Sequence, residues 1–290
     1  MFVFKAGVVG AGVMGGEIAQ VIAAAGIPVV LKDVDAKFVD AGLDKAREVT
    51  QGQVAKLVKK GKLSEEDAAA QADRTLELIT GTTDYGEFGD VDFVIEAVPE
   101  KMEIKHAVFA ELDASTPGHA ILASNTSGLS ITEIGDATNR PDKVVGFHFF
   151  WPASYMRLIE VIEGEETSAE TMQAAANFAQ SIRKMPVRCA ECPGFVVNRI
   201  LTSTASEIWR YQDESGVDVK DIDKALTDSK LVSMGPFYLA DMSGLDTALK
   251  VAKDMVDAYG DRFYVHRGME ELVEAGDLGQ KSGKGFYEHS

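Results

Sequence analysis

The turn Gly10-Ala11-Gly12-Val13-Met14-Gly15 constrains the fold of this chain more than any other stretch. Apolar runs bracket it at 4–9 (FKAGVV) and 28–33 (PVVLKD), and small residues recur at helical spacing through 15–25 (GGEIAQVIAAA). Strand, glycine-rich turn, helix and strand in so short a span predict a βαβ unit with two parallel strands. In that setting G-x-G-x-x-G has a mechanical meaning. Gly10 permits the tight turn, Gly12 lets a pyrophosphate approach the backbone, and Gly15 lets the helix lie close to the strand. Val13 and Met14 complete the first helical turn, whose unpaired N–H groups and positive dipole end suit a phosphate. Asp33 ends the second strand where a carboxylate can meet the adenosine ribose hydroxyls and repel a 2′-phosphate, so the pattern predicts NAD rather than NADP. Lys32 would offset that repulsion, but strand alternation points it to the opposite side.

Further apolar runs lie at 76–80 (LELIT), 92–98 (DFVIEAV), 120–123 (AILA), 144–149 (VVGFHF) and 158–162 (LIEVI). Several are continuous rather than alternating, as in a parallel sheet covered on both faces. Residues 36–75 are helix-compatible throughout. Gly61 reads as a stop and Ser64 as a cap, which predicts a two-helix arm beside the sheet. The strand pattern ceases after residue 185. Residues 194–214, 218–229 and 236–259 then read as helices, with Asp218 and Ser243 as caps and Gly216, Gly235 and Gly260 as stops. The expected class is α/β: a Rossmann-type, doubly wound, mostly parallel sheet with a helical arm (1–187), followed by an all-α C-terminal domain (188–290).

Lys and Arg number 29 against 46 Asp and Glu, a net charge of −17. Such a surface repels phosphate backbones and anionic lipid heads, which argues against nucleic-acid and membrane partners. No apolar run approaches the ~18 residues of a spanning helix. Residues 1–7 enter a strand pattern without the layout of a signal or transit peptide, which predicts a cytoplasmic protein. Cys189 and Cys192 cannot close a four-cysteine zinc site, and no metal is expected. Their C-x-x-C spacing precedes Pro193 and Gly194 and reads as two incidental thiols near a domain junction rather than a redox pair.

His148 stands at the end of the run 144–149, and open α/β sheets place their ligands at strand C-terminal ends. Glu160 sits in LIEVI with two apolar residues on each side, where a carboxylate is costly unless paired. The intervening Trp151-Pro152 turn would let a neighbouring strand bring the two together. Removing hydride from a carbinol carbon requires the O–H proton to leave too. An imidazole, with an ordinary pKa of ~6.5, suits that task, and a partner carboxylate would fix its tautomer. Ser124-Asn125-Thr126-Ser127-Gly128 ends another run. It reads either as cap chemistry for a following helix or as hydroxyls at the ligand edge.

In order, GVVGAGVMGGEIAQ, VIEAVPE, ASNTS, FHFFWP, LIEVI, CPGFVVNR, MGPFYLAD and GQKSGKGFY cover almost the whole chain. The set resembles the L-3-hydroxyacyl-CoA dehydrogenases, including the dehydrogenase part of multifunctional fatty-acid oxidation enzymes. The resemblance implies reversible NAD-dependent oxidation of an (S)-3-hydroxyacyl-CoA to the 3-oxoacyl-CoA, in fatty-acid β-oxidation or short-chain acyl-CoA metabolism. It implies that His148 is the general base, Glu160 its orienting carboxylate, and Ser127 and Asn198 the hydrogen-bonding residues around the reacting oxygen. It implies that Glu100, Lys105 and Lys281 approach NAD or the pantetheine arm, with Ser127 near both cofactor and substrate. It also implies that the arm holding Lys56 binds CoA and that the helical domain forms a homodimer. Lys56, Lys59, Lys60 and Lys62 are concentrated in an otherwise acidic chain. They are either a solvated helix face, the preferred reading for Lys62, or a landing site for the CoA phosphates.

The family pattern has Asn after the paired Phe residues, where this chain has Trp151. An indole cannot replace the amide's paired donor and acceptor, which questions one contact expected near the nicotinamide half of NAD. Two other readings fit the fold. One is a 3-hydroxyacid dehydrogenase of the hydroxyisobutyrate type, with a lysine base. The other is a non-catalytic NAD-binding protein. The His148–Glu160 pair favours the acyl-CoA reading over both.

Overall fold

In the computed structural model, which describes residues 2–289, the glycine-rich turn joins β1 (Ala6–Val9) to α1 (Val13–Ala24), and β2 (Val29–Lys32) lies parallel to β1. The chain continues through α2 (Ala36–Lys59), α3 (Glu65–Leu76), β3 (Ile79–Thr82), β4 (Phe93–Glu96) and α4 (Met102–Ser115). It then forms β5 (Ile121–Ser124), α5 (Ile131–Gly135), β6 (Val144–Phe149), β7 (Leu158–Glu163), α6 (Ala169–Ser181) and β8 (Met185–Ala190). The strands form one sheet in the order β3-β2-β1-β4-β5-β6-β7-β8. β1 to β6 are parallel, β7 runs antiparallel to β6, and β8 is parallel to β7. The order reverses between β1 and β4, which opens a crevice at the strand C-termini.

β1, β2, β4, β5 and β6 are buried throughout, which is why they read as continuous runs. Ile18 and Ile22 of α1 share a core with Phe93, Phe147 and Phe178. The Phe93 and Phe178 rings lie 4.5 Å apart. Each such side chain contributes about 1.5–3 kcal/mol when fully buried.

Two close backbone approaches explain the glycines of the first helix. Gly10 has φ +100°, and a Cβ on Gly15 would lie 1.7 Å from the Gly10 carbonyl oxygen. Further along, a Cβ on Gly16 would lie 2.6 Å from the Gly42 carbonyl oxygen, and one on Gly42 would lie 2.7 Å from that of Ala11. The first half of α2 is thus fitted directly behind the glycine-rich turn. Val54, Ala68 and Ala72 join the far half of α2 to α3. Between them Gly61 turns with φ +65°, and Ser64 Oγ accepts from Asp67 N at 3.0 Å, as expected for a stop and a cap.

Several expectations need correction. β8 is a strand where the apolar pattern had stopped. Met185 and Val187 are 54% and 38% exposed, and Pro186 lies in the strand, as edge strands tolerate. Because β8 extends the sheet, the chain divides between Cys192 and Pro193, at the end of the stretch 186–193 in which the sequence places the boundary. The stretch 236–259 is two helices.

The second unit contains α7 (Val197–Ser215), α8 (Val219–Asp228), α9 (Pro236–Ser243), α10 (Leu245–Tyr259) and α11 (Arg267–Glu274), the last unanticipated. Gly244, with φ +92°, separates α9 from α10, and Ser243 ends α9 without capping α10. Gly235 starts α9 rather than stopping a helix. A Cβ there would strike Asp223, whose carboxylate caps α9 by accepting from Phe237 N at 3.1 Å and Tyr238 N at 2.8 Å. Asp218 accepts from Lys220 N at 2.8 Å, and Gly216 ends α7 with φ +69°, both as expected. Trp209, Phe237, Leu245 and Met269 form this unit's own core.

Candidate active site

At the crevice, α1 begins at Gly12 with no side-chain cap, which leaves its first N–H groups pointing outward. Gly12 and Val13 are exposed, Met14 is half-buried, and a Cβ on Gly12 would meet no protein atom within 4 Å. This is a cradle for an anion, with room left for backbone approach. Asp33, at the tip of β2, accepts from Ala11 N and Val34 N, each at 2.7 Å. The Lys32 side chain lies away from it, with Nζ 4.2 Å from the centroid of the Tyr85 ring.

The antiparallel register sets His148 directly opposite Glu160. Phe147, Phe149, Ile159 and Val161 point into the core, so alternation brings His148 and Glu160 together on the other face. His148 Nδ1 lies 2.8 Å from Glu160 Oε2, with the two residues 5% and 1% exposed. A carboxylate oxygen accepts, so Nδ1 carries the hydrogen, and in the neutral imidazole Nε2 is then the acceptor. The Phe150 ring lies 4.6 Å from the His148 ring.

Two residues absent from the sequence expectations hold the turn between these strands. Ser154 donates from N and Oγ to Glu17 Oε2 of α1, at 3.0 and 3.1 Å. Lys184 Nζ donates to the carbonyls of Ala153 at 2.5 Å and Met156 at 2.7 Å. Burial pushes the Lys184 ammonium below the usual lysine range, and the nearby Glu17 carboxylate counters that in part. Trp151, at the start of this turn, is 58% exposed.

A second polar network lies at the ends of β4 and β5. Glu96 is fully buried and receives Lys105 Nζ at 2.7 and 2.9 Å and Ser124 Oγ at 2.6 Å. Lys105 Nζ also lies 3.2 Å from Glu100 Oε2. Glu100 Oε1 accepts from Thr126 Oγ1 at 2.6 Å and from Ser127 N at 2.9 Å. The resemblance implies that Lys105 approaches NAD or the pantetheine arm. In the structure it is 1% exposed, with its ammonium held between two carboxylates. Glu96 is the network's centre and was not among the expected residues. Asn125, beside it, accepts from Phe149 N at 2.8 Å and ties the end of β5 to β6.

Of the other expected residues, Ser127 is exposed at the end of β5, and Lys56, Lys59, Lys60 and Lys62 are exposed at the arm's tip. Asn198 and Lys281 belong to the second unit. Asn198 stands in the first turn of α7, and Lys281 Nζ donates to Asp246 Oδ1 at 2.8 Å and Thr247 Oγ1 at 3.1 Å. Cys189 and Cys192 are half-buried, on β8 and at the division between the units. Among the described residues, no helix is long and apolar enough to cross a membrane, and no group of three or more His, Cys, Asp or Glu residues is placed to hold a metal ion.

Comparison with known proteins identifies the family. Residues 5–192 match the family described as 3-hydroxyacyl-CoA dehydrogenase, NAD binding domain, and residues 194–289 its C-terminal domain. The fatty acid oxidation complex subunit alpha of Pseudomonas savastanoi pv. phaseolicola is 40% identical over 285 residues, which cover 98% of this chain. The chain spans only 38% of that relative's length. The 3-hydroxybutyryl-CoA dehydrogenase of Clostridioides difficile is 39% identical over 287 residues, covering 99% of each. The crystal structure of (S)-3-hydroxybutyryl-CoA dehydrogenase from Ralstonia eutropha matches with a TM-score of 0.91 at 36% identity, over 100% of both chains. A dinucleotide cradle, a paired histidine and carboxylate, and two matching domains across nearly the whole chain lead to one conclusion: this chain belongs to the NAD-dependent 3-hydroxyacyl-CoA dehydrogenase family.

Proposed function

We propose that the chain catalyses the reversible oxidation of an (S)-3-hydroxyacyl-CoA to the 3-oxoacyl-CoA, in fatty-acid β-oxidation or short-chain acyl-CoA metabolism. The buried 2.8 Å contact between His148 Nδ1 and Glu160 Oε2 carries the reading. NAD, when bound, accepts the hydride from C3 of the substrate. His148 takes the hydroxyl proton at Nε2, and Glu160 stabilises the imidazolium that forms. In the other direction the imidazolium returns the proton to the alkoxide oxygen. Ser127, just beyond the end of β5, the strand next to β6, and Asn198 hydrogen-bond that oxygen in this reading, both on the family resemblance. The test is NADH oxidation with acetoacetyl-CoA and longer 3-oxoacyl-CoA thioesters. Absence of turnover with all of them would sink the proposal.

The carboxylate of Asp33, oriented by two backbone N–H groups, should make kcat/KM with NADH exceed that with NADPH. Asp33→Ala should narrow the preference by about tenfold, or ~1.4 kcal/mol. Equal kcat/KM values in the unaltered enzyme would refute the assignment.

The exposed lysines at the arm's tip are proposed to meet the phosphates of CoA. Lys56→Glu should then raise KM for an acyl-CoA about fivefold more than for the same acyl group on a short pantetheine thioester, and the difference should shrink with added salt, over a screening length of ~8–10 Å. An equal effect on both substrates would leave the arm without that role. The proposed assembly is a homodimer through the second unit, where Ile200, Leu201, Tyr211 and Leu231 are each more than half exposed. The proposed compartment is the cytoplasm, and the net charge of −17 disfavours binding to anionic membrane surfaces there.

A further inference from the structure

We infer that Glu100, held by the buried Glu96–Lys105 pair, shifts the relative affinity of the site toward the oxidised cofactor. The inference rests on the NAD reading. Asp33 ends β2 on one side of the point where the strand order reverses, and Glu100 and Ser127 follow β4 and β5 on the other. A dinucleotide spanning the crevice from Asp33 lays its second, nicotinamide half over the ends of β4 and β5.

The three ionisable groups there do not balance. Two carboxylates face one ammonium, which formally leaves one negative charge. Glu96 is fully buried, and both its oxygens are engaged by Lys105 Nζ. The excess charge is therefore presented on Glu100, whose side chain is 38% exposed. That carboxylate is fixed in direction. Lys105 holds Oε2, while Thr126 Oγ1 and Ser127 N hold Oε1.

Hydride transfer converts a positively charged nicotinamide ring into a neutral dihydronicotinamide. A fixed negative charge within several ångströms attracts the first and is indifferent to the second. The partly exposed position screens the interaction, so an effect of about three- to tenfold on relative affinity is expected rather than the larger factors of a dry interior. A carboxylate that only hydrogen-bonded a ribose would strengthen both forms alike. Glu100 is thus assigned as a residue that tunes the cofactor's redox balance, with Glu96 and Lys105 as positioning residues behind it.

The test uses the full chain and equilibrium titration with NAD+ and with NADH, without substrate. Glu100→Gln keeps an acceptor for Thr126 and Ser127 and leaves Lys105 paired with Glu96, so the network survives without its excess charge. It should raise the ratio of Kd for NAD+ to Kd for NADH by about three- to tenfold. Glu100→Asp retains the charge and should keep the ratio within about twofold of the starting value. If Glu100→Gln changes both dissociation constants by the same factor, the charge assignment is overturned while NAD binding stands. If the unaltered protein binds neither nucleotide, the NAD reading itself fails.

Discussion

His148→Gln is expected to lower kcat for 3-oxoacyl-CoA reduction by about 10²–10⁴-fold, the usual contribution of a positioned acid or base. NADH binding should survive, because the glycine-rich cradle and Asp33 lie at the ends of β1 and β2, away from β6 in the strand order. Glu160→Gln is the sharper substitution. It keeps the side chain's shape and still offers an acceptor to Nδ1–H, but it removes the charge that stabilises imidazolium. Its loss in kcat should approach that of His148→Gln without matching it. The double replacement should cost little more than His148→Gln alone, since groups acting as one unit are strongly non-additive. Fully multiplicative losses would show that Glu160 works independently of His148, despite their contact.

This pair was legible in the sequence because a sheet obeys a simple rule. A carboxylate with apolar neighbours on both sides needs a partner, and alternation limits which side chains can share its face. Glu96 sends the same signal, among Val94, Ile95 and Ala97. Its partner, however, lies nine residues on in a helix, and the contact depends on how α4 returns across the sheet. No spacing rule encodes that return, so the sequence does not show Lys105 as the partner of Glu96. Glu17 escapes notice for a related reason, since it meets Ser154 across 137 positions of chain. β8 escapes because its side chains are largely exposed and Pro186 interrupts it, both tolerable only at an edge. The break at Gly244 escapes because the apolar rhythm continues across it, and only its φ of +92° divides the helices. By contrast, the glycine-rich turn, the arm's stop and cap, and the strands β1, β2 and β4 to β7 depend on local geometry and are readable from neighbouring residues, whereas β3 lies at 79–82, later than the apolar run 76–80.

The buried pair supplies the second large expected effect. Lys105→Met fills much of the same space but leaves the Glu96 carboxylate, at 0% exposure, with Val98 N at 2.7 Å and Ser124 Oγ at 2.6 Å as donors and no counter-charge. Breaking a buried pair from one side costs ~3–5 kcal/mol. For a domain of this size each kcal/mol lowers Tm by ~2–4 °C, so the first unit should melt about 10 °C lower. Adding Glu96→Gln removes the stranded charge while keeping a hydrogen-bond acceptor, and replacing both partners of a buried pair is often close to neutral. The double variant should therefore regain most of the lost Tm, which scanning calorimetry on the full chain can follow. Residues in contact should couple in this way, whereas independent sites add within ~0.3–0.5 kcal/mol. If the two losses simply add, Lys105 is stabilising through its packing alone, and Glu96 does not depend on its ammonium.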